Sequence, residues 1–401
     1  MANIDNTKDI ELDTSMLITL EFSEKEFKAT AAITLDTSHN EGQFSFWINN
    51  ELNISKITVN DKPVNYIISE RNQPPFRPLV KKIDITNEEA IRRLTINYMG
   101  SVAYSLENRS CWHNIITDDI KSLSWYSAWF PQDTSVEIIH DKVIVVSGDD
   151  YFIVKGCFDE VRNIWEYGGN GNDPFNIVAY RKSVLKVVSD RHMNIYFIDE
   201  RIKEYAAEAL SSYMNVLNFY NGNLFKKKEI PVLDVACASP AITTGGGYRR
   251  KDFMWCTTPG GSAEEIAWLS AHETAHIWCC GADSYTWEDW LNEATADWAA
   301  LLFALDSRNS SLFNFILNPK LERYSSLPPI KTVDGSRPDG VHEKGTVLFY
   351  KMYKKLGIEA VSKVIRLFTD LDIKTTSSLL DSLYTNNDNE IADFIQKGIV
   401  D

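Results

Sequence analysis

Five consecutive residues, His272-Glu273-Thr274-Ala275-His276, have the types and the spacing to do chemistry. Four residues along a helix is slightly more than one turn, so the two imidazoles project from one face and converge. Neutral imidazoles placed that way supply two ligands for zinc. Glu273 stands one step round the helix, beside the metal rather than on it, where it can take a proton from a bound water. A catalytic zinc takes a third protein ligand and keeps one position open. The third ligand is offered downstream by Glu293, in Trp290-Leu291-Asn292-Glu293-Ala294-Thr295-Ala296-Asp297. One turn further on, Asp297 can reach the non-ligating nitrogen of a zinc histidine, which fixes its tautomer and raises its basicity. The expectation is one Zn2+ per chain on His272, His276 and Glu293, with Glu273 as general base and Asp297 orienting His272. With only seven histidines in the chain, two at ligand spacing followed by Asn-Glu and Asp is a demanding coincidence. The same pattern without a metal would be a helix pair that keeps the shape alone.

Two helices must position these groups. Ser262 and Glu265 form an S-x-x-E capping box, good helix formers follow, and Gly281 is expected to stop the run. Residues 287–297 read as a second helix that buries Trp290, Ala294 and Ala300 while aiming Glu293 at the first. Upstream, residues 200–220 show helical periodicity ending at Gly222, and residues 230–237 are an apolar strand. Gly245-Gly246-Gly247-Tyr248 follows. Three glycines let a backbone come close to another chain, and an unpaired strand edge can hydrogen-bond an extended peptide; a flexible loop is the other reading. Beyond Gly345 the pattern is helical to the end, at 346–356, 358–368, 377–384 and 390–397.

Residues 9–198 have a different character. Strand-like runs at 16–22, 27–35, 43–48, 94–98, 142–146 and 183–188 are separated by turn signals such as Asn60-Asp61-Lys62-Pro63. The fold class is therefore α+β, with an antiparallel β-sandwich or saddle over residues 1–198 followed by a mostly helical domain over 199–401. Length and composition agree with a multidomain globular protein: 401 residues, 44% hydrophobic and 24% charged. No stretch suits a signal peptide or a membrane span. Six cysteines show no framework spacing, which reads as reduced thiols in a cytoplasmic protein. A net charge of −15 argues against nucleic acid and anionic membrane as partners. Oligomeric state leaves no mark on the sequence.

The run His272-Glu273-Thr274-Ala275-His276-Ile277-Trp278, followed by Trp290-Leu291-Asn292-Glu293-Ala294, resembles the gluzincin signature of the aminopeptidase N and leukotriene hydrolase family of zinc metallopeptidases. The step from Asn292-Glu293 to Asp297 is similar to the thermolysin version of the same helix. Sixteen residues separate His276 from Glu293, a shorter gap than is usual in that family. The resemblance covers residues 230–357. It implies a thermolysin-like catalytic domain with a small β-sheet, behind a β-rich N-terminal domain, and a peptide substrate. Family members continue into a helical domain that roofs the cleft; its lack here implies a more open site that admits long substrates.

Three further residues take their roles from the resemblance. Family aminopeptidases bind the substrate's α-amine with a glutamate on a G-x-M-E-N edge strand, and Tyr248 falls at that position. Neutral at pH 7, it cannot make the ion pair, so exo- and endopeptidase action both stay open. Gly245, Gly246, Gly247 and Tyr248 would align the peptide. Val341-His342-Glu343-Lys344-Gly345 is similar to a Tyr-Glu-Lys-Gly segment whose tyrosine donates to the oxyanion. His342 takes that place here, with an N–H able to serve, and Tyr248 is the reserve donor. Gln132, in an aromatic turn over 125–132 that by composition is packing, is implied as a substrate contact. The function expected is a zinc-dependent metallopeptidase hydrolysing peptide bonds. A zinc hydrolase of a non-peptide substrate and a catalytically silent peptide-binding module also fit the pattern; Glu273, which no structural zinc site requires, counts against the second.

Overall fold

The computed structural model describes residues 14–36, 42–73, 78–103, 113–171, 175–238, 247–250, 252–256 and 262–401. The chain divides into two compact units, Met1–Lys186 with Ala241–Thr244, and Val187–Pro240 with Gly245–Asp401.

The first unit is built from strands whose side chains alternate between core and solvent. In Ser15–Phe22, Met16, Ile18 and Leu20 are buried and face one way. This strand lies inside an eight-stranded sheet, with a four-stranded and a three-stranded sheet completing the unit. Every pairing in the eight-stranded sheet is antiparallel but one: Ser15–Phe22 runs parallel to Ile139–Val145. That one parallel pair is possible in the otherwise antiparallel sheet because those two strands are far apart in sequence, and a long connection frees their relative direction. Phe27, Tyr98 and Trp129 meet edge to face in the core, with centroids 6.4 and 6.1 Å from Phe27.

Among its described residues the second unit holds a five-stranded sheet and eight α-helices. Its strands are β1 (Lys186–Ser189), β2 (Met193–Phe197), β3 (Leu233–Cys237), β4 (Gly247–Arg250) and β5 (Phe253–Cys256), in the order β1-β2-β3-β5-β4. Strands β1 and β2, which composition alone groups with the β-rich N-terminal half, thus belong to this sheet. β2, β3 and β5 are parallel, and β4 is antiparallel to β5 at the sheet edge. The helices are α1 (Ile202–Phe219), α2 (Ala263–Ala275), α3 (Trp290–Asp306), α4 (Ser310–Arg323), α5 (Val341–Leu356), α6 (Ile358–Asp370), α7 (Thr376–Thr385) and α8 (Asn389–Gly398). No helix among the described residues is long and apolar enough to cross a membrane.

Helix α3 runs through the core. Its apolar face extends nearly all round, with Trp290, Leu291, Ala294, Trp298, Ala299, Ala300 and Leu301 buried. Gly345 lets α5 lie against it: a Cβ at that position would stand 2.7 Å from the Ala294 Cβ. Helix α4 carries Pro319 in its interior, which hides it from a reading of propensities. Its start is signalled by Asn309, whose side chain accepts from the Leu312 N–H at 2.9 Å.

Candidate metal centre

Helix α2 begins where Ser262 Oγ accepts the Glu265 N–H at 3.2 Å. It ends earlier than Gly281 suggests. Ala275 is its last residue and His276 its C-cap, still in right-handed helical geometry, so the His276 ring stays beside that of His272. The Tyr220 hydroxyl, from the turn after α1, donates to the Ala271 carbonyl at 2.9 Å and ties α2 to the core. Residues 287–289 form a single 3-10 turn that leads into α3, which carries Glu293 and Asp297.

Together α2 and α3 bring three donor atoms to one point. The His272 and His276 Nε2 atoms are 3.2 Å apart, and Glu293 Oε2 is 3.2 Å from the first and 3.8 Å from the second. A regular tetrahedron with zinc–ligand bonds of about 2.1 Å has edges of about 3.4 Å. The three separations bracket that value.

Hydrogen bonding decides what these atoms can offer. His272 Nδ1 lies 3.0 Å from Asp297 Oδ1, and His276 Nδ1 lies 2.9 Å from the Cys279 carbonyl. Both partners are acceptors, so each Nδ1 carries the proton and, in the neutral rings, each Nε2 presents a lone pair. Two such lone pairs and a carboxylate oxygen in mutual contact repel unless a cation or a proton sits among them. The electrostatics say the same. Burial disfavours the charged forms of His272 and Glu293, yet the carboxylates of Asp297 and Glu293 hold the His272 imidazole well above its ordinary pKa. The three histidines around Glu293 in turn hold its carboxyl far below the usual range. The residues present fit a zinc ion on His272, His276 and Glu293.

Glu273 follows His272 on the same helix. Its side chain is largely buried and makes no hydrogen bond or ion pair with the described residues. Asp297 is fully buried and held on all sides: Oδ1 by His272 Nδ1 at 3.0 Å and Trp268 Nε1 at 3.3 Å, Oδ2 by Thr346 Oγ1 and Lys320 Nζ, each at 2.7 Å. Burial alone would raise its pKa; the Lys320 ammonium and His272 reverse that and hold it well below the carboxylate norm.

Neither a family sequence model nor a curated protein matches this chain. Solved structures do. An M1 zinc metallopeptidase from Deinococcus radiodurans superposes with a TM-score of 0.66 at 14% identity, over 96% of this chain and 94% of its own. Leukotriene A4 hydrolase from Saccharomyces cerevisiae gives a TM-score of 0.64 at 14% identity, over 95% of this chain and 66% of its own. The yeast hydrolase in complex with bestatin gives 0.66 at 13% identity, over 97% and 67%. The fold is that of the M1 zinc metallopeptidases. This fold accounts for the α+β architecture along most of the chain, beyond the stretch that the sequence resemblance covers.

The other expected site residues are placed as follows. His342 opens α5, after Gly340, whose φ of +69° suits glycine. Its Nδ1 is 3.2 Å from Glu293 Oε2 and its Nε2 is 2.7 Å from Arg337 Nη2. Nε2 is thus hydrogen-bonded to Arg337, and Nδ1 faces the Glu293 carboxylate. Tyr248 lies on the edge strand β4, buried, with its ring 6.2 Å from Phe253 and under the Arg250 guanidinium at 5.9 Å. Gly247 is on the same strand; Gly245 and Gly246 lie outside the described residues. Gln132 is in the first unit, buried, with Nε2 donating to the Trp125 carbonyl at 2.9 Å.

Sequence reasoning missed Lys320, Thr346, Trp268, Arg337 and Asp289, all within the network around the three donors. Only Asp289 carried a usable signal, standing one turn before Glu293.

Proposed function

We propose that this chain is a zinc-dependent metallopeptidase that hydrolyses peptide bonds, with Glu273 as general base. The observation that carries the reading is the convergence of three lone-pair donors within 3.2–3.8 Å of one another, next to a largely buried carboxylate that nothing else among the described residues engages. His272, His276 and Glu293 would hold the zinc. When bound there, zinc brings the pKa of a water towards ~7 and polarises the scissile carbonyl.

The chain's own groups divide the remaining work. Glu273 takes the proton of the attacking water and delivers it to the leaving amine nitrogen, so one group serves as base and then acid. Asp297 keeps the His272 proton on Nδ1 and the ring turned toward the donor cluster. Strand β4, with Gly247 and Tyr248, lies at the edge of the sheet, the place where an extended peptide can align with it. Tyr248 supplies no negative charge for a substrate α-amine, so endopeptidase action on long peptides is included in the proposal. Among the described residues Cys157, Cys279 and Cys280 are free thiols, in keeping with a cytoplasmic protein.

The test is zinc stoichiometry together with digestion of a random peptide mixture. The wild type should hold one zinc and cut the mixture, and Glu273→Gln should keep the zinc and lose about 10²–10⁴-fold in rate. Uptake of zinc with no cleavage of any peptide would refute peptidase action and favour a non-peptide substrate or a binding role.

A further inference from the structure

Glu293 Oε2 is contacted from two sides. On one side are the Nε2 atoms of His272 and His276; on the other is His342 Nδ1, at 3.2 Å. His342 is not part of the metal-binding trio. The donor atoms of His272, His276 and Glu293 lie within 4.8 Å of one another, whereas His342 groups instead with Asp289 and Glu293.

The proton on His342 can be located from its neighbours. Arg337 Nη2 is 2.7 Å from His342 Nε2, and a guanidinium has only donors to offer. Nε2 must therefore accept, which leaves the proton of the neutral ring on Nδ1, facing the Glu293 oxygen. Arg337 is itself fixed. Its side chain is almost wholly buried, and Nε and Nη2 both reach Asp289 Oδ2, at 2.8 and 2.7 Å. Asp289 also accepts from Asn292 Nδ2 at 2.8 Å, and Asn292 is clamped to both backbone groups of Ala282 at 3.0 Å. A line of hydrogen bonds thus runs from the backbone of Ala282 through Asn292, Asp289 and Arg337 to His342, whose Nδ1 then stands 3.2 Å from Glu293 Oε2. Asp289, Glu293 and His342 form a second three-donor cluster, and the Arg337 guanidinium occupies its cationic role.

We propose that His342 is a positioning residue for Glu293, donating Nδ1–H to the carboxylate oxygen that faces the histidine pair, with Arg337 setting its tautomer. The inference rests on the zinc reading above and assigns His342 a different task from oxyanion donation: its one N–H is spent on Glu293. The bond selects which Glu293 oxygen faces the donor cluster and holds it there, the role that outer hydrogen bonds play at metal sites.

The experiment uses the full chain. Zinc affinity is measured by chelator competition, and the visible absorption of the cobalt(II)-substituted protein is recorded, for wild type, His342→Ala and His342→Asn. Asparagine returns an N–H near the place of Nδ1. His342→Ala should bind zinc about 10–100-fold more weakly and shift the cobalt bands, and His342→Asn should recover most of both. If His342→Ala keeps wild-type zinc affinity and cobalt spectrum while kcat falls, the oxyanion role is restored and this inference is overturned alone. If the wild-type chain takes up no zinc, the metal reading falls, and this inference with it. Melting curves of each variant separate weakened metal binding from unfolding; a loss of affinity in His342→Asn equal to that in His342→Ala also counts against the proposal.

Discussion

Replacing Lys320 with methionine tests the buried network behind His272 more sharply than any change to the donors themselves. Lys320 Nζ is 2.7 Å from Asp297 Oδ2, and Asp297 is 0% exposed. Removing one partner of a buried ion pair costs about 3–5 kcal/mol, because the remaining charge is left uncompensated. Asp297 keeps three other neighbours with donors, His272, Trp268 and Thr346, which places the expected loss near the lower end, about 3 kcal/mol. For a unit of this size that is a fall in Tm of about 6–12 °C. The assay is calorimetry on chelator-treated protein, so that metal binding does not contribute.

The pH dependence gives the test its sign. The folded-state pKa of Asp297 is held well below its ordinary value, by Lys320 and His272 against the effect of burial. A carboxyl with a depressed folded pKa contributes stability above the unfolded pKa of about 3.9, and loses it as pH falls through the folded value. The gap between wild type and Lys320→Met should be constant above the pKa that folded Asp297 has without Lys320, and shrink as pH falls below it toward the depressed wild-type value. Asp297→Asn in the Lys320→Met background should cost less than the two single losses added together. A Tm at pH 7 unchanged by Lys320→Met would refute the argument, as would a penalty that persists undiminished below the pKa of Asp297 in the variant, which would point to packing of the lysine stem.

Two further outcomes follow from close packing and burial. Gly345→Ala should force α5 away from α3, since the new methyl would meet Ala294 at 2.7 Å; an overpacked contact of this kind costs about 1–3 kcal/mol, and zinc affinity measured by chelator competition should fall with it because α5 carries His342 and α3 carries Glu293. Native-state labelling with a maleimide at pH 8, read by mass spectrometry, should mark the exposed Cys157 and spare Cys279: burial pushes the Cys279 thiol up to about 12, so only about one molecule in 10⁴ is thiolate at that pH. Rapid labelling of Cys279 in folded protein would show that the segment after α2 opens.

What could be read directly from the chain were the features set by neighbours in sequence. His272 and His276 share a helix face because of their spacing, Ser262 caps that helix because its side chain reaches the next turn, and Asp297 trails Glu293 by one turn for the same reason. The alternation of Met16, Ile18 and Leu20 likewise announces a strand with one buried face. The remaining features needed three dimensions. Helix α4 was hidden by Pro319, which local propensity counts against a helix and tertiary packing tolerates. Lys320 reaches Asp297 only because α4 folds back on α3, and Arg337 finds Asp289 and His342 only because a loop returns to the start of α5. His342 reads as a donor in sequence, but that Arg337 would stand at its Nε2 and Glu293 at its Nδ1 could not be read there, since a side chain's neighbours depend on elements that are distant along the chain. Short-range geometry wrote the three donors into the sequence; the charges and hydrogen bonds that hold them at one point are long-range, and only the packed helices decided them.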